Sequence, residues 1–147
     1  MRYHNITKDD MLNGEGLRTV LWVAGCSHHC PQCHNPVTWD INGGLVFDEQ
    51  AKEELFEELK KDYVSGVTFS GGDPFHLENR EEIGALAKEI REKFPDKTIW
   101  LYTGYEWEEI CHLSFLSNID VIVDGKFKIE EKDNNLHWKG SANQRVI

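Results

Sequence analysis

The chain has 147 residues and a formal net charge of −10, from 16 Lys and Arg against 26 Asp and Glu. With 39% hydrophobic and 11% aromatic residues it can bury one core, which argues against a disordered polymer. An acidic chain without clustered Lys and Arg lacks the positive face that nucleic-acid binding needs, and no apolar run approaches the ~20 residues of a membrane span.

Met1 to Asp10 is too polar for the apolar region of a secretory signal, so the expected setting is the cytoplasm, where thiols stay reduced. Arg18 to Gly25 is a nearly continuous apolar run with β-branched and aromatic residues, which predicts a buried strand ending at a group of cysteines. Asp48 to Lys61 predicts a surface helix: its first turn is acidic, and Ala51, Leu55 and Leu59 form an apolar stripe at four-residue spacing. Gly66 to Ser70 reads as a second strand, and Glu78 to Phe94 as a second helix with Ile83, Leu86, Ala87 and Ile90 on one face, stopped by Pro95. A third strand at Thr98 to Tyr102, a short helix at Glu106 to His112 and a fourth strand at Ile119 to Val123 complete the series.

The alternation of helices with strands apolar on both faces predicts an α/β fold with parallel pairing and right-handed crossovers. Chemistry in such folds collects at the carboxyl ends of the strands. There the sequence places the cysteines, then Gly71-Gly72-Asp73-Pro74, Thr103-Gly104 and Asp124-Gly125-Lys126. No repeat or flexible linker interrupts the chain, so residues 1–147 are expected to form a single domain. A complete (β/α)₈ barrel takes ~250 residues; the expected architecture is a partial (β/α) barrel of parallel strands with outer helices.

Four cysteines are present, of which Cys26, Cys30 and Cys33 share one short segment while Cys111 stands apart. The cluster points to soft-metal ligation rather than disulfides. A [4Fe–4S] cluster held by three thiolates leaves one iron open to a substrate or cofactor. A Cys₃His zinc site using His28, His29 or His34 is the alternative, although no second ligand pair of the usual structural type follows. A bacterial ferredoxin needs a fourth nearby cysteine, and Cys111 lies far along the chain, where it reads as a small buried side chain on a helix.

The spacing Cys26-x₃-Cys30-x₂-Cys33 resembles the signature of the radical S-adenosylmethionine superfamily. The longer string from Gly25 to Trp39 is similar to that of the glycyl-radical-activating proteins that serve anaerobic ribonucleoside-triphosphate reductases. Matching pieces follow in order: Asn13 to Arg18, Ser70 to Pro74, Asp124 to Phe127, and Gly140 to Arg145. The resemblance implies a compact radical S-adenosylmethionine core with a [4Fe–4S] cluster on Cys26, Cys30 and Cys33. Its open iron would bind S-adenosylmethionine, and one electron would yield methionine and a 5′-deoxyadenosyl radical. That radical would take a hydrogen from a glycine of the reductase large subunit. A flavodoxin or ferredoxin is the implied electron donor.

By the same resemblance, Gly71, Gly72 and Asp73 hold the methionine end of the cofactor, with Asp73 an acceptor near its ammonium group. Thr103 lies beside the cofactor, Asp124 accepts from the ribose hydroxyls, and Lys126 pairs with the carboxylate. Gln32 stands where many relatives carry an aromatic residue, so the adenine would rest on backbone from Gln32 through Cys33 to His34. Tyr102 replaces an aspartate that helps hold a monovalent cation in other activating enzymes. Gly14 to Arg18 and Trp39 are candidates for contact with the partner's glycine loop. A radical enzyme acting on another glycyl-radical protein or a small molecule, and a zinc-stabilised binding module, are the rival functions.

Overall fold

The structure is a computed structural model in which residues 2–10, 16–25, 45–71, 73–76, 79–125 and 145–146 are described. In chain order the elements are β1 (Arg2–Asp10), β2 (Arg18–Val23), β3 (Leu45–Val46), α1 (Glu49–Leu59), β4 (Gly66–Gly71), α2 (Arg80–Lys93), β5 (Thr98–Tyr102), α3 (Trp107–Ile110), a 3-10 turn (Ser114–Asn118), β6 (Val121–Asp124) and β7 (Arg145–Val146). Among the described residues seven strands form one sheet, in the order β3-β1-β2-β4-β5-β6-β7.

The centre of this sheet is parallel, as the alternation of strands and helices predicts. Arg18 to Val23 pair in step with Gly66 to Gly71, Gly66 to Phe69 with Thr98 to Leu101, and Trp100 to Tyr102 with Val121 to Val123. Each new strand joins on the same side of the last, so crossovers of one hand carry α1 and α2 to the same face. Side chains alternate along a strand, and Leu21, Val23, Val67, Phe69, Ile99, Leu101 and Ile122 share that face. They pack in one core with Leu55 and Leu59 of α1 and with Ile83, Leu86, Ala87 and Ile90 of α2.

Both helices follow their sequence signals closely. Asp48 caps α1, its carboxylate accepting from the Ala51 N–H at 2.9 Å. The helix ends at Leu59, before Lys61, and α2 runs from Arg80 to Lys93. The predicted helix at Glu106 to His112 contracts to Trp107–Ile110, held by a reciprocal Glu106–Glu109 capping box. The last parallel strand begins at Val121 rather than Ile119, because the Asp120 carboxylate turns aside to accept from the Ile99 N–H at 2.7 Å and from Arg91.

The expected all-parallel partial barrel is corrected to an open mixed sheet. β1 and β3 pair antiparallel on one side, β7 pairs antiparallel on the other, and the sheet does not close. The sequence offers little sign of β1, because only Ile6 of its nine residues is buried. Its place depends on distant partners: Trp22 Nε1 donates to Thr7 Oγ1 at 2.9 Å, and Tyr3 meets Phe47 edge-on.

Arg18 also departs from expectation. It sits at the amino end of β2, the opposite end of the strands from the glycine-rich turns, and is fully buried rather than available to a partner. Its guanidinium donates at 2.8 Å to Thr68 Oγ1, Thr98 Oγ1 and the carbonyls of Val67 and Thr98, and lies 5.5 Å from the Trp100 ring centre. A planar fork of donors suits this task better than a lysine would. Arg18→Ala is expected to cost on the order of 3 kcal/mol, because buried acceptors lose a charged donor; urea unfolding measures it.

A second prediction concerns acid. Lys61 Nζ lies 2.9 Å from the buried Glu58 carboxylate and Lys8 Nζ lies 3.5 Å from it. The hydrogen bond from Lys61 outweighs burial and holds this carboxyl below its ordinary value. A lowered folded-state value stabilises the fold above the usual carboxylate range, about 4 to 5, and that contribution fades as pH falls through the folded value. Glu58→Gln is therefore expected to lower the melting temperature at pH 7, with the gap from wild type shrinking below about pH 4; melting curves across pH check it.

Candidate functional site

Because the parallel strands run in step, their carboxyl ends meet along one edge. β2 leads to Ala24 and Gly25, β4 to Gly71 and Asp73, β5 to Thr103 and Gly104, and β6 to Asp124 and Gly125. Gly71 has φ +103°, and a Cβ there would stand 2.6 Å from both the N and the O of Val23. Only glycine lets the two backbones approach so closely. Gly25 also has positive φ, +101°, so β2 and β4 both turn on glycine where they leave the sheet.

Asp73 organises this edge. Its backbone N–H donates to the Gly25 carbonyl at 2.7 Å. Its carboxylate accepts from Phe75 N at 2.9 Å, closing an Asx-turn around Pro74, and from Thr103 Oγ1 at 2.8 Å and Gly104 N at 2.9 Å. Asp73 is 1% exposed and Thr103 5%, so this carboxylate holds the β4 and β5 turns together. Its two oxygens face these protein donors. The Thr103 N–H donates to the Val123 carbonyl at 3.0 Å, and Thr103 Oγ1 accepts from Tyr105 N at 3.2 Å.

Asp124 is likewise buried and accepts from Trp107 N at 2.7 Å, while Gly125 N donates to the Tyr105 carbonyl. A carboxylate at the start of α3 favours the exposed N–H groups there. Tyr102 is half-buried, and burial pushes its phenol well above the ordinary value, with Asp10 adding to the rise and Arg18 opposing it.

Asn79 is the residue that sequence reasoning missed. It stands before α2, where an Asn side chain usually accepts from the first turn, but it makes no such bond. Its Nδ2 donates instead to the Ala24 carbonyl at 2.8 Å and the Asp73 carbonyl at 3.3 Å. The only available signal was an N-cap residue type before an apolar period, which points to helix capping and nothing else.

Of the predicted site residues, Gly71, Asp73, Thr103 and Asp124 are thus brought to one edge. Cys26, Cys30, Cys33, Gln32, His34, Gly72 and Lys126 lie outside the described residues, as do Gly14, Glu15 and Trp39. Cys111 is exposed at the C-terminal end of α3, which corrects the buried placement expected for it. A groove between α1 and α2, lined by Phe47, Lys52, Glu82, Leu86 and Glu89 among others, lies on the helix-covered face.

The family described as a 4Fe-4S single cluster domain matches residues 12–147. The anaerobic ribonucleoside-triphosphate reductase-activating protein of Enterobacteria phage T4 is 44% identical over 146 residues, covering 99% of this chain and 93% of its own length. The proteins of that name from Salmonella typhi and Escherichia coli K12 are 40% and 39% identical over 150 residues, each covering 99% of this chain and 97% of their own length.

The chain belongs to the family of anaerobic ribonucleoside-triphosphate reductase-activating proteins. An iron–sulfur cluster is the group its domain is described by. No helix among the described residues is long and apolar enough to cross a membrane.

The carboxylate of Asp73 yields a direct prediction. Asp73→Ala removes the acceptor for three donors, two of them buried, and is expected to destabilise the fold by roughly 2–4 kcal/mol, with charged hydrogen bonds worth about 1.5–3 kcal/mol each and not additive. Asp73→Asn, isosteric but with one oxygen exchanged for a donor, should fall between the two; chemical denaturation ranks them.

Proposed function

We propose that this chain is a radical S-adenosylmethionine enzyme that installs a glycyl radical on the large subunit of an anaerobic ribonucleoside-triphosphate reductase. One observation carries the reading. Cys26, Cys30 and Cys33 follow Gly25 in the sequence, and Gly25 lies at the edge where Gly71, Asp73, Thr103 and Asp124 meet. Family membership supports the partner and the cluster.

The residues fit such a group chemically. Three soft thiolates suit a [4Fe–4S] cluster with one open iron, and glycine turns at the ends of β2 and β4 leave backbone free to approach a ligand. When bound there, the cluster and S-adenosylmethionine would supply one-electron reductive cleavage chemistry, with the electron from an external donor, for hydrogen abstraction from the partner's glycine. The protein contributes position and exclusion of competing donors.

In this reading Cys26, Cys30 and Cys33 ligate the cluster. The Gly71–Gly72–Asp73 backbone receives the amino-acid end of S-adenosylmethionine, and the Asp73 carboxylate keeps that turn fixed to Thr103 and Gly104. Lys126 pairs with the cofactor carboxylate as a point charge. Asp124 lies toward the ribose, and Gln32, Cys33 and His34 toward the adenine. Residues 1–147 act as a single cytoplasmic domain, reduced by a flavodoxin or ferredoxin.

The test is anaerobic reconstitution with iron, sulfide, reductant and S-adenosylmethionine. Release of methionine and 5′-deoxyadenosine is expected, with a glycyl doublet in the electron paramagnetic resonance spectrum of the added reductase. Cys26→Ala, Cys30→Ala and Cys33→Ala should each abolish cofactor cleavage, while Cys111→Ala retains it. Anaerobically purified protein that carries one zinc and neither iron nor sulfide would overturn the proposal. Cofactor cleavage without the doublet would redirect it to another substrate.

A further inference from the structure

The structure assigns a role to Asn79: we infer that it is a positioning residue, locking the strand exit that leads into the cysteine segment against the Gly71–Asp73 turn. The inference rests on the function proposed above and adds a residue to it.

Asn79 breaks two rules of local stability at once. It holds the N-cap position of a 14-residue helix, yet its side chain makes no cap bond; such a cap is worth about 1 kcal/mol. Among the described residues its Oδ1 has no hydrogen-bond partner, although the whole residue is 0% exposed. An unsatisfied buried acceptor costs about 1–3 kcal/mol. Positions that give up local stability in this way are where a functional constraint is expected.

The side chain is spent across the chain instead. The donor group of Asn79 holds Ala24 O, two residues before Cys26, and Asp73 O on the opposite turn. The Asp73 N–H then holds Gly25 O at 2.7 Å, and the Ala24 N–H is held by Arg2 O at 2.9 Å. Consecutive carbonyls of the β2 exit, Ala24 and Gly25, are thereby tied to the β4 turn by separate donors. The ties continue through the Asp73 carboxylate to Thr103. On the other side, Arg80 donates to Phe75 O through Nε and Nη2 at 3.1 and 3.0 Å and covers the Tyr105 ring at 5.3 Å. The first cysteine therefore departs from a backbone whose distance to the cofactor turn is set by an amide that could otherwise have capped α2.

Asn79→Asp separates these roles. Aspartate is nearly the same shape and an equally good N-cap, but it cannot donate to Ala24 O and Asp73 O. In the apo chain, hydrogen exchange at Ala24 and Asp73 should quicken about tenfold, the equivalent of one net hydrogen bond, with residues 80–93 of α2 as protected as in wild type. In the reconstituted protein, at equal iron and sulfide, the S-adenosylmethionine concentration that half-converts the reduced-cluster spectrum should rise by about tenfold. Asn79→Ser, also a good cap, should behave alike and serves if the aspartate variant folds poorly.

Unchanged exchange at Asp73 overturns the inference. So does loss of protection along the whole of α2, which would mean a capping role only, or an unchanged half-conversion concentration. If the wild-type reduced cluster itself does not respond to S-adenosylmethionine, the proposed function fails, and the exchange result then decides the clamp by itself.

Discussion

Parallel β-strands that exchange backbone hydrogen bonds in step must also end in step. Buried N–H and C=O groups need partners, and in β2, β4 and β5 those partners are one another, from Arg18 opposite Gly66 and Gly66 opposite Thr98 onward. β6 joins at Trp100 opposite Val121. Turns separated by dozens of residues therefore arrive along one edge, and the chemistry of the chain is placed by that coincidence.

The two ends of the parallel strands are stabilised differently. At the amino ends a buried Arg18 donates into carbonyls and hydroxyls that β4 and β5 expose there. At the carboxyl ends buried carboxylates, Asp73 and Asp124, accept from the N–H groups of the turns. A buried charge persists only when hydrogen bonds replace its lost water. The fixed ends hold a stiff edge from which the cysteine segment departs.

Function in this family involves a protein partner, and the open sheet suits it. A closed barrel would enclose its centre, whereas among the described residues the sheet is open and flanked by the short strands β3 and β7. Solvent-facing positions of α1 carry an excess of Glu, and exposed ion pairs such as Lys60–Glu57 and Lys52–Glu49 temper it locally. Such exposed pairs contribute little each, so the fold depends on its apolar core and buried hydrogen bonds.

The amino-acid sequence by itself determined what is periodic or covalently adjacent. Alternation and three-to-four spacing disclosed the parallel strands and both long helices, since these depend on which neighbours share a face. The placement of Gly71 to Asp73, Thr103 and Asp124 at strand ends followed directly. What only the tertiary structure decided are contacts between residues far apart: Asn79 with Ala24 across 55 positions, and Arg18 with Thr68 across 50. The pairing of the polar strand β1, the exposure of Cys111 and the inward turn of the Asp73 carboxylate belong with them. A hydrogen-bonding side chain has several possible partners, and which it takes is settled by the donors and acceptors that the folded sheet brings within 3 Å or so, a property no local pattern encodes.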